Sequence, residues 1–230
     1  MTMTATQRPA HVPLAPPPWW LEGSGYIVQV RLPEDVLAHG SFIAPGLVRA
    51  GRGRVATLMF VDYAKSDVGP YHELLYIPGK LRIGPYRLRS ITRIFVSSWA
   101  SVINGERNWG IPKDCARFDV RYGEDGVDRI AVSTRDGEPF ARLTLSARGP
   151  TLPAPAHWVP RRLRTLAQLH DGRIYRYAPS ASGRLRFARV RDWWFDARHF
   201  PDLARGEPLF AVQLPRFRMQ FPVARITPLR

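Results

Sequence analysis

Lys113 stands in the stretch GERNWGIPKDCARF, Gly105 to Phe118, and is one of only three lysines among 34 basic residues. A chain that otherwise uses arginine and keeps a lysine between Pro112 and Asp114 invites a chemical reading, because a neutral amine attacks a carbonyl carbon. An ordinary lysine titrates near 10.4, so roughly one in 2,500 is neutral at pH 7. Bringing that value near 7 takes about 4.6 kcal/mol of differential solvation, which burial in an apolar pocket supplies. Trp109, Ile111, Pro112 and Phe118 provide apolar surroundings, and the proline restricts the local backbone. Lys65, in AKSDVG, and Lys80, just after Pro78-Gly79, read instead as exposed loop lysines.

Other chemistries are poorly served. His11, His39, His72, His157, His170 and His199 form no HxH or HxxxH pair, and the lone Cys115 has no CxxC partner. No zinc site of conventional local spacing is expected, which leaves only a dispersed one. There is no G-x-S-x-G, and Ser24, inside GSG, reads as part of a flexible turn. A single cysteine is most often buried packing, and that is the expectation for Cys115. No phosphate-loop or dinucleotide-binding glycine pattern follows a strand.

The elements that position Lys113 are mostly strands. Gly25–Pro33, Arg54–Ala64, Tyr71–Gly79 and Tyr86–Ser98 carry β patterns, with a short helix over Pro33–Gly40 and another over Ser98–Trp109. If Tyr71–Gly79 is a strand, Tyr71 and Glu73 share a face and His72 points the other way. Asp-Gly occurs at 125–126, 136–137 and 171–172, where type I′ hairpin turns are expected. The flanking segments Ala116–Tyr122, Val127–Thr134, Pro139–Ala147, Leu163–His170 and Arg173–Ala178 should then pair as meanders. Two late strands follow, and in the second Phe217, Met219 and Phe221 share one face, opposite Arg216, Arg218 and Gln220. The proline-bearing stretch Gly149–Pro160 reads as a long connection. The expected fold class is mostly β (α+β), an antiparallel sheet closed into a barrel or sandwich with a few short helices, holding its ligand in a barrel mouth. Residues 1–18 read as a proline-rich N-terminal arm and 19–230 as a single domain.

Composition narrows the function classes. Apolar residues make up 45% of 230, enough for a core, and mean hydropathy is −0.23. No run approaches the roughly 18–20 apolar residues that span a bilayer, and the N-terminus has no apolar signal region. One cysteine excludes an intramolecular disulfide and fits a reducing cytoplasm. The net charge of +15 suggests a polyanion partner, but the arginines are spread along the chain with no block of like charge, which argues against nucleic acid.

VGPYHE (Val68–Glu73), followed about 40 positions later by GERNWGIPKD (Gly105–Asp114), resembles the acetoacetate decarboxylase family. The matching marks are Tyr71 and Glu73 in a Y-x-E arrangement, Gly105, and Ile111-Pro112-Lys113. The resemblance covers roughly Arg54 to Tyr122. It implies a cone-shaped antiparallel β-barrel, usually in a homo-oligomer, with no metal or organic cofactor. It also implies an imine between Lys113 and a keto acid or related carbonyl compound, with Glu73 handling protons. Tyr71, Trp109, Ile111 and Glu106 are then expected in the substrate pocket. The pattern departs from the decarboxylases in three places. Asp114 replaces their second lysine, and its charge would favour the ammonium form unless its side chain faces away. Their arginine before the first strand is missing from LEGSGY, and Glu106 and Arg107 stand in reversed order. The resulting expectation is a cofactor-free lysine-imine lyase, whether decarboxylase, aldolase or dehydratase. The rivals are a non-catalytic ligand-binding barrel and a basic polyanion binder.

Overall fold

Alternating burial runs through most of the chain and sets its architecture. In β1 (Trp19–Arg31), Tyr26, Val28 and Val30 are buried on one face and Trp19 and Leu21 on the other. The computed structural model describes residues 8–155 and 158–229. After β1 the strands are β2 (Val48–Arg49), β3 (Val55–Lys65), β4 (Tyr71–Ile77), β5 (Lys80–Ile83), β6 (Tyr86–Arg89), β7 (Arg93–Val96) and β8 (Lys113–Cys115). Then come β9 (Arg117–Arg121), β10 (Val127–Ser133), β11 (Pro139–Ala147), β12 (Leu152–Ala154), β13 (Leu166–His170) and β14 (Arg173–Tyr177). The last are β15 (Ser180–Phe195), β16 (Glu207–Phe221) and β17 (Arg225–Pro228), and the helices are α1 (Glu34–His39), α2 (Trp99–Trp109) and α3 (Arg161–Arg164).

The longer of two sheets has the order β8-β7-β4-β3-β1-β16-β15-β11-β10-β9, with β12 added on β15. Its end strands β8 and β9 are separated in sequence only by Ala116, whose N–H donates to the Val96 carbonyl at 2.9 Å. The sheet therefore curls into a nearly closed, mostly antiparallel barrel. Its interior is filled by side chains such as Phe95, Phe140, Phe195 and Phe200. Fully burying each contributes about 1.5–3 kcal/mol. The second sheet, β17-β14-β13-β6-β5-β2, packs on the other side of β3 and β4.

Several expectations are corrected. Tyr86–Ser98 is not one strand: it breaks at Ser90–Thr92, so β6 joins the second sheet and β7 the first. Leu163 and Arg164 belong to α3, so β13 starts only at Leu166. Gly23–Gly25 is no flexible turn but part of β1, at bulges in its pairing with β3 and β16. A Cβ on Gly23 would lie 2.1 Å from the Asp62 carbonyl oxygen, so glycine permits the strands' close approach there. Of the three Asp-Gly turns only Asp171-Gly172 has both φ angles positive, 47° and 67°. At the other two sites only the glycine is positive, and its N–H closes a turn on Gly123 or Thr134. That is a one-residue αL step next to an ordinary turn.

The helix α2 links β7 to β8, which pair in parallel. Ser98 caps it, its side chain accepting from the Ser101 N–H at 3.4 Å, and Gly110 ends it at φ 63°. Residues from the N-terminal arm lie across it. Asn104 Oδ1 accepts from the Ala15 N–H at 2.8 Å, and Asn104 and Asn108 donate to the Pro13 and Ala15 carbonyls. Ser98→Ala should cost about 1 kcal/mol, which for a domain of this size lowers the melting temperature by about 2–4 °C, read by thermal denaturation.

Candidate active site

Register brings the candidate residues together. Tyr63 on β3 pairs with Tyr71 on β4, Val61 with Glu73, and Ile94 on β7 with Lys113 on β8. Tyr71, Glu73, Leu75 and Ile77 alternate onto one face of β4, the face turned away from the barrel interior. His72 takes the opposite face, stacked between Phe60 and Phe118.

Lys113 Nζ donates to Glu73 Oε2 and to Ser101 Oγ, both at 2.9 Å. Its side chain is 5% exposed and that of Glu73 6%. The ammonium also lies 5.3 Å from the Tyr71 ring centroid. The Tyr63 hydroxyl donates to Glu73 Oε1 at 3.4 Å. Burial, then the charge of Glu73, push the Tyr63 and Tyr71 phenols well above their ordinary value, although Ser101 pulls Tyr71 slightly the other way. Both therefore remain proton donors around neutrality.

Ser101 and Tyr63 were not singled out in the sequence. A serine four residues before Gly105 puts both on one turn-to-turn stripe of α2, the side facing Lys113. Gly105 is the reason the lysine fits: a Cβ there would sit 2.8 Å from Lys113 Cε and 2.9 Å from Cδ.

Asp114 faces away from Lys113. Its side chain is 57% exposed and lies 3.6 Å from Arg93. Trp109 and Ile111 line the cavity beside Lys113, as does Tyr71. Glu106 does not: its carboxylate projects from α2 to Arg8, at 3.1 Å. Cys115 is buried packing next to Arg135, and burial raises its thiol above the usual range. Glu138, Asp196 and His199 approach one another, but Arg198 donates to both carboxylates, at 2.6 and 2.5 Å, making an ion-pair network of the group.

The cavity holds about 520 Å³. It is not in a barrel mouth; it lies between the long sheet and the second one, because the curl of the long sheet is filled by aromatic side chains. Arg164 also borders it, and its guanidinium donates to the Ala178 and Pro179 carbonyls at 2.9 and 2.7 Å.

The phenols predict a pH dependence. Each binds its proton more tightly in the folded chain than in the unfolded one. Their contribution to stability is full below the unfolded value, near 10, and is lost as pH climbs beyond it. Denaturant midpoints measured from pH 8 upward should fall less steeply above pH ~10 in a Tyr63→Phe/Tyr71→Phe variant than in the wild type. Gly105→Ala should leave the fold intact but displace Lys113, cutting its reactivity toward carbonyl reagents about tenfold or more; a reactivity equal to wild type would contradict the close packing seen here.

No protein-family model and no curated sequence matches the chain. Solved structures do. Acetoacetate decarboxylase from Legionella pneumophila superposes with a TM-score of 0.68 at 12% identity, covering 97% of this chain and 93% of that one. The enduracididine biosynthesis enzyme MppR complexed with pyruvate gives 0.66 at 17%, covering 94% and 93%. An acetoacetate decarboxylase-like enzyme from Sphingomonas wittichii RW1 gives 0.64 at 14%, covering 92% and 94%. The chain thus has the acetoacetate decarboxylase-like fold over nearly its whole length.

Proposed function

We propose that the protein is a cofactor-free lyase that forms an imine between Lys113 and a carbonyl substrate. The observation that carries this reading is a buried lysine at the wall of a cavity, with a carboxylate and a hydroxyl each 2.9 Å from its nitrogen. The fold neighbours lend support, since one is a decarboxylase and another is MppR complexed with the condensation product of pyruvate and imidazole 4-carboxaldehyde.

The geometry suits each step. Glu73 takes a proton from Lys113 across the 2.9 Å contact, leaving a neutral amine beside the cavity. Nitrogen attacks the carbonyl carbon, and the carbonyl oxygen becomes a hydroxyl by taking one of the protons of the attacking nitrogen. Glu73 returns its proton as that hydroxyl leaves as water, and the nitrogen lone pair completes the C=N bond. The protonated imine then accepts the electron pair of an adjacent bond, as carbon dioxide or a carbonyl fragment leaves from C–C or a base takes the proton from C–H, giving an enamine. Protonation of the enamine and hydrolysis restore the lysine. Ser101 Oγ lies 2.9 Å from the reacting nitrogen and the Tyr71 hydroxyl is linked to Ser101, so the two orient water and the carbinolamine hydroxyl.

The ion pair with Glu73 also suits the rival reading, a ligand-binding relative in which Lys113 stays a charged anchor. Reductive trapping separates the two. The protein is incubated with acetoacetate, pyruvate and a panel of aldehydes and ketones under cyanoborohydride, and adducts are located by peptide mass spectrometry. An adduct on Lys113 is expected, absent from Lys65 and Lys80 and lost in Lys113→Arg. Glu73→Gln should slow its formation by about 10²-fold or more. Equal labelling of all three lysines, or none, would favour the ligand-binding relative.

A further inference from the structure

The cavity continues well past the reactive amine. From Glu73 it follows β4 and β3 as far as Ile77 and Thr57, which pair in register. The four residue steps from 73 to 77 span about 13 Å of strand. Ile27, Met59, Leu75 and Ile94, side by side across β1, β3, β4 and β7, give this length an apolar wall. At Gln29, Thr57 and Arg89 the cavity borders a second recess of about 240 Å³, which Arg49, Lys80 and the backbone of Gly51 and Gly53 also line.

Charge in that recess is unbalanced. Arg49 meets Glu34 at 2.5 Å and also donates to the Gly53 carbonyl. Arg89 donates to the Leu163 carbonyl at 2.6 Å. Neither Arg89 nor Lys80 forms an ion pair among the described residues. Lys80 is thus more than a loop lysine: it opens β5 at the rim of a cationic recess.

We propose that the substrate is an elongated carbonyl compound with an apolar body and an anionic group at the end remote from the carbonyl. Its carbonyl lies at Lys113, its body fills the apolar length, and its anion lies among Arg49, Lys80 and Arg89. A three- or four-carbon keto acid would leave most of a 520 Å³ cavity unfilled, whereas cavities of this size hold drug-sized ligands. Because the cations lie far from Lys113, the anion they hold is not the group expelled at the imine; it stays on the product. The placement of the carbonyl rests on the imine reading, but the apolar length and the cationic recess do not.

The test uses the full chain and titration calorimetry. The probes are levulinate as the short acid, a longer methyl ketone whose terminal carboxylate lies about 13 Å from its carbonyl, and that longer ketone's phosphate monoester counterpart and neutral methyl ester. The secondary alcohols made by reducing each ketone cannot form an imine, so their affinities report the cavity and recess alone. The long acid or phosphate alcohol should bind about tenfold more tightly than the ester alcohol, and more tightly than reduced levulinate. The stronger of acid and phosphate identifies the anion. In Lys80→Glu the acid-to-ester ratio should collapse toward one. Equal affinity of ester and both anions, equal affinity of long and short acids, or no binding by any alcohol would overturn the proposal. Discrimination among the alcohols without trapping on Lys113 would overturn only the imine reading.

Discussion

A carboxylate and an ammonium removed from water together must be satisfied from several sides, and the contact between Glu73 and Lys113 imposes that demand on everything near it. Desolvation costs several kcal/mol per ion, and a buried pair deprived of one partner typically destabilises a protein by about 3–5 kcal/mol. The surroundings meet the demand group by group. Tyr63 covers the second carboxylate oxygen, Ser101 takes a second ammonium proton, and the Tyr71 ring faces the cation. A pair of this kind is a weak source of stability compared with apolar packing of the same volume. Its presence at a cavity wall is easier to understand as chemistry than as architecture.

The unit β7–α2–β8 translates that demand into chain geometry. The parallel pairing of β7 and β8 leaves α2 to span between them, so one face of the helix stands over Lys113. That face is built from Ser101 and Gly105, with Asn104 and Asn108 turned to the arm. The helix therefore buries small and polar residues where an ordinary core helix buries leucine. Gly110 ends it in the left-handed region, close against His170 and Tyr175, and so joins the segment that carries Lys113 to the second sheet.

Much of this was legible in the sequence. Lys113 was marked by its type and surroundings, Tyr71 and Glu73 by resemblance to the acetoacetate decarboxylase family, and strand alternation placed Tyr71 and Glu73 on one face with His72 on the other. Ser101 left no such mark, because a serine in a helix is commonplace and its partner lies twelve residues on. Tyr63 is near Tyr71 only through cross-strand register, which periodicity does not reveal. Glu106 was misplaced because helical phase, not distance from Lys113, decides which side chains reach the cavity; Glu106 follows Gly105 by a turn of about 100° and faces outward. The split of Tyr86–Ser98 between two sheets was hidden for a similar reason: both halves read as strand, and only tertiary pairing assigns them.

The position of β16 has a consequence for how the molecule assembles. β1 lies between β3 and β16, so nearly the first strand made is completed by nearly the last. Met219 and Phe221 of β16 also close the cavity around Trp19 and Leu21 of β1. During synthesis, the front half of the chain waits with one edge of β1 unpaired and the wall that carries Lys113 open to water until about 100 further residues have emerged. Contacts so distant in sequence form slowly because loop closure must precede their gain. The chamber is therefore among the last parts of the protein to exist, and a chain interrupted before β16 would hold a lysine and a carboxylate but no enclosed space in which to use them.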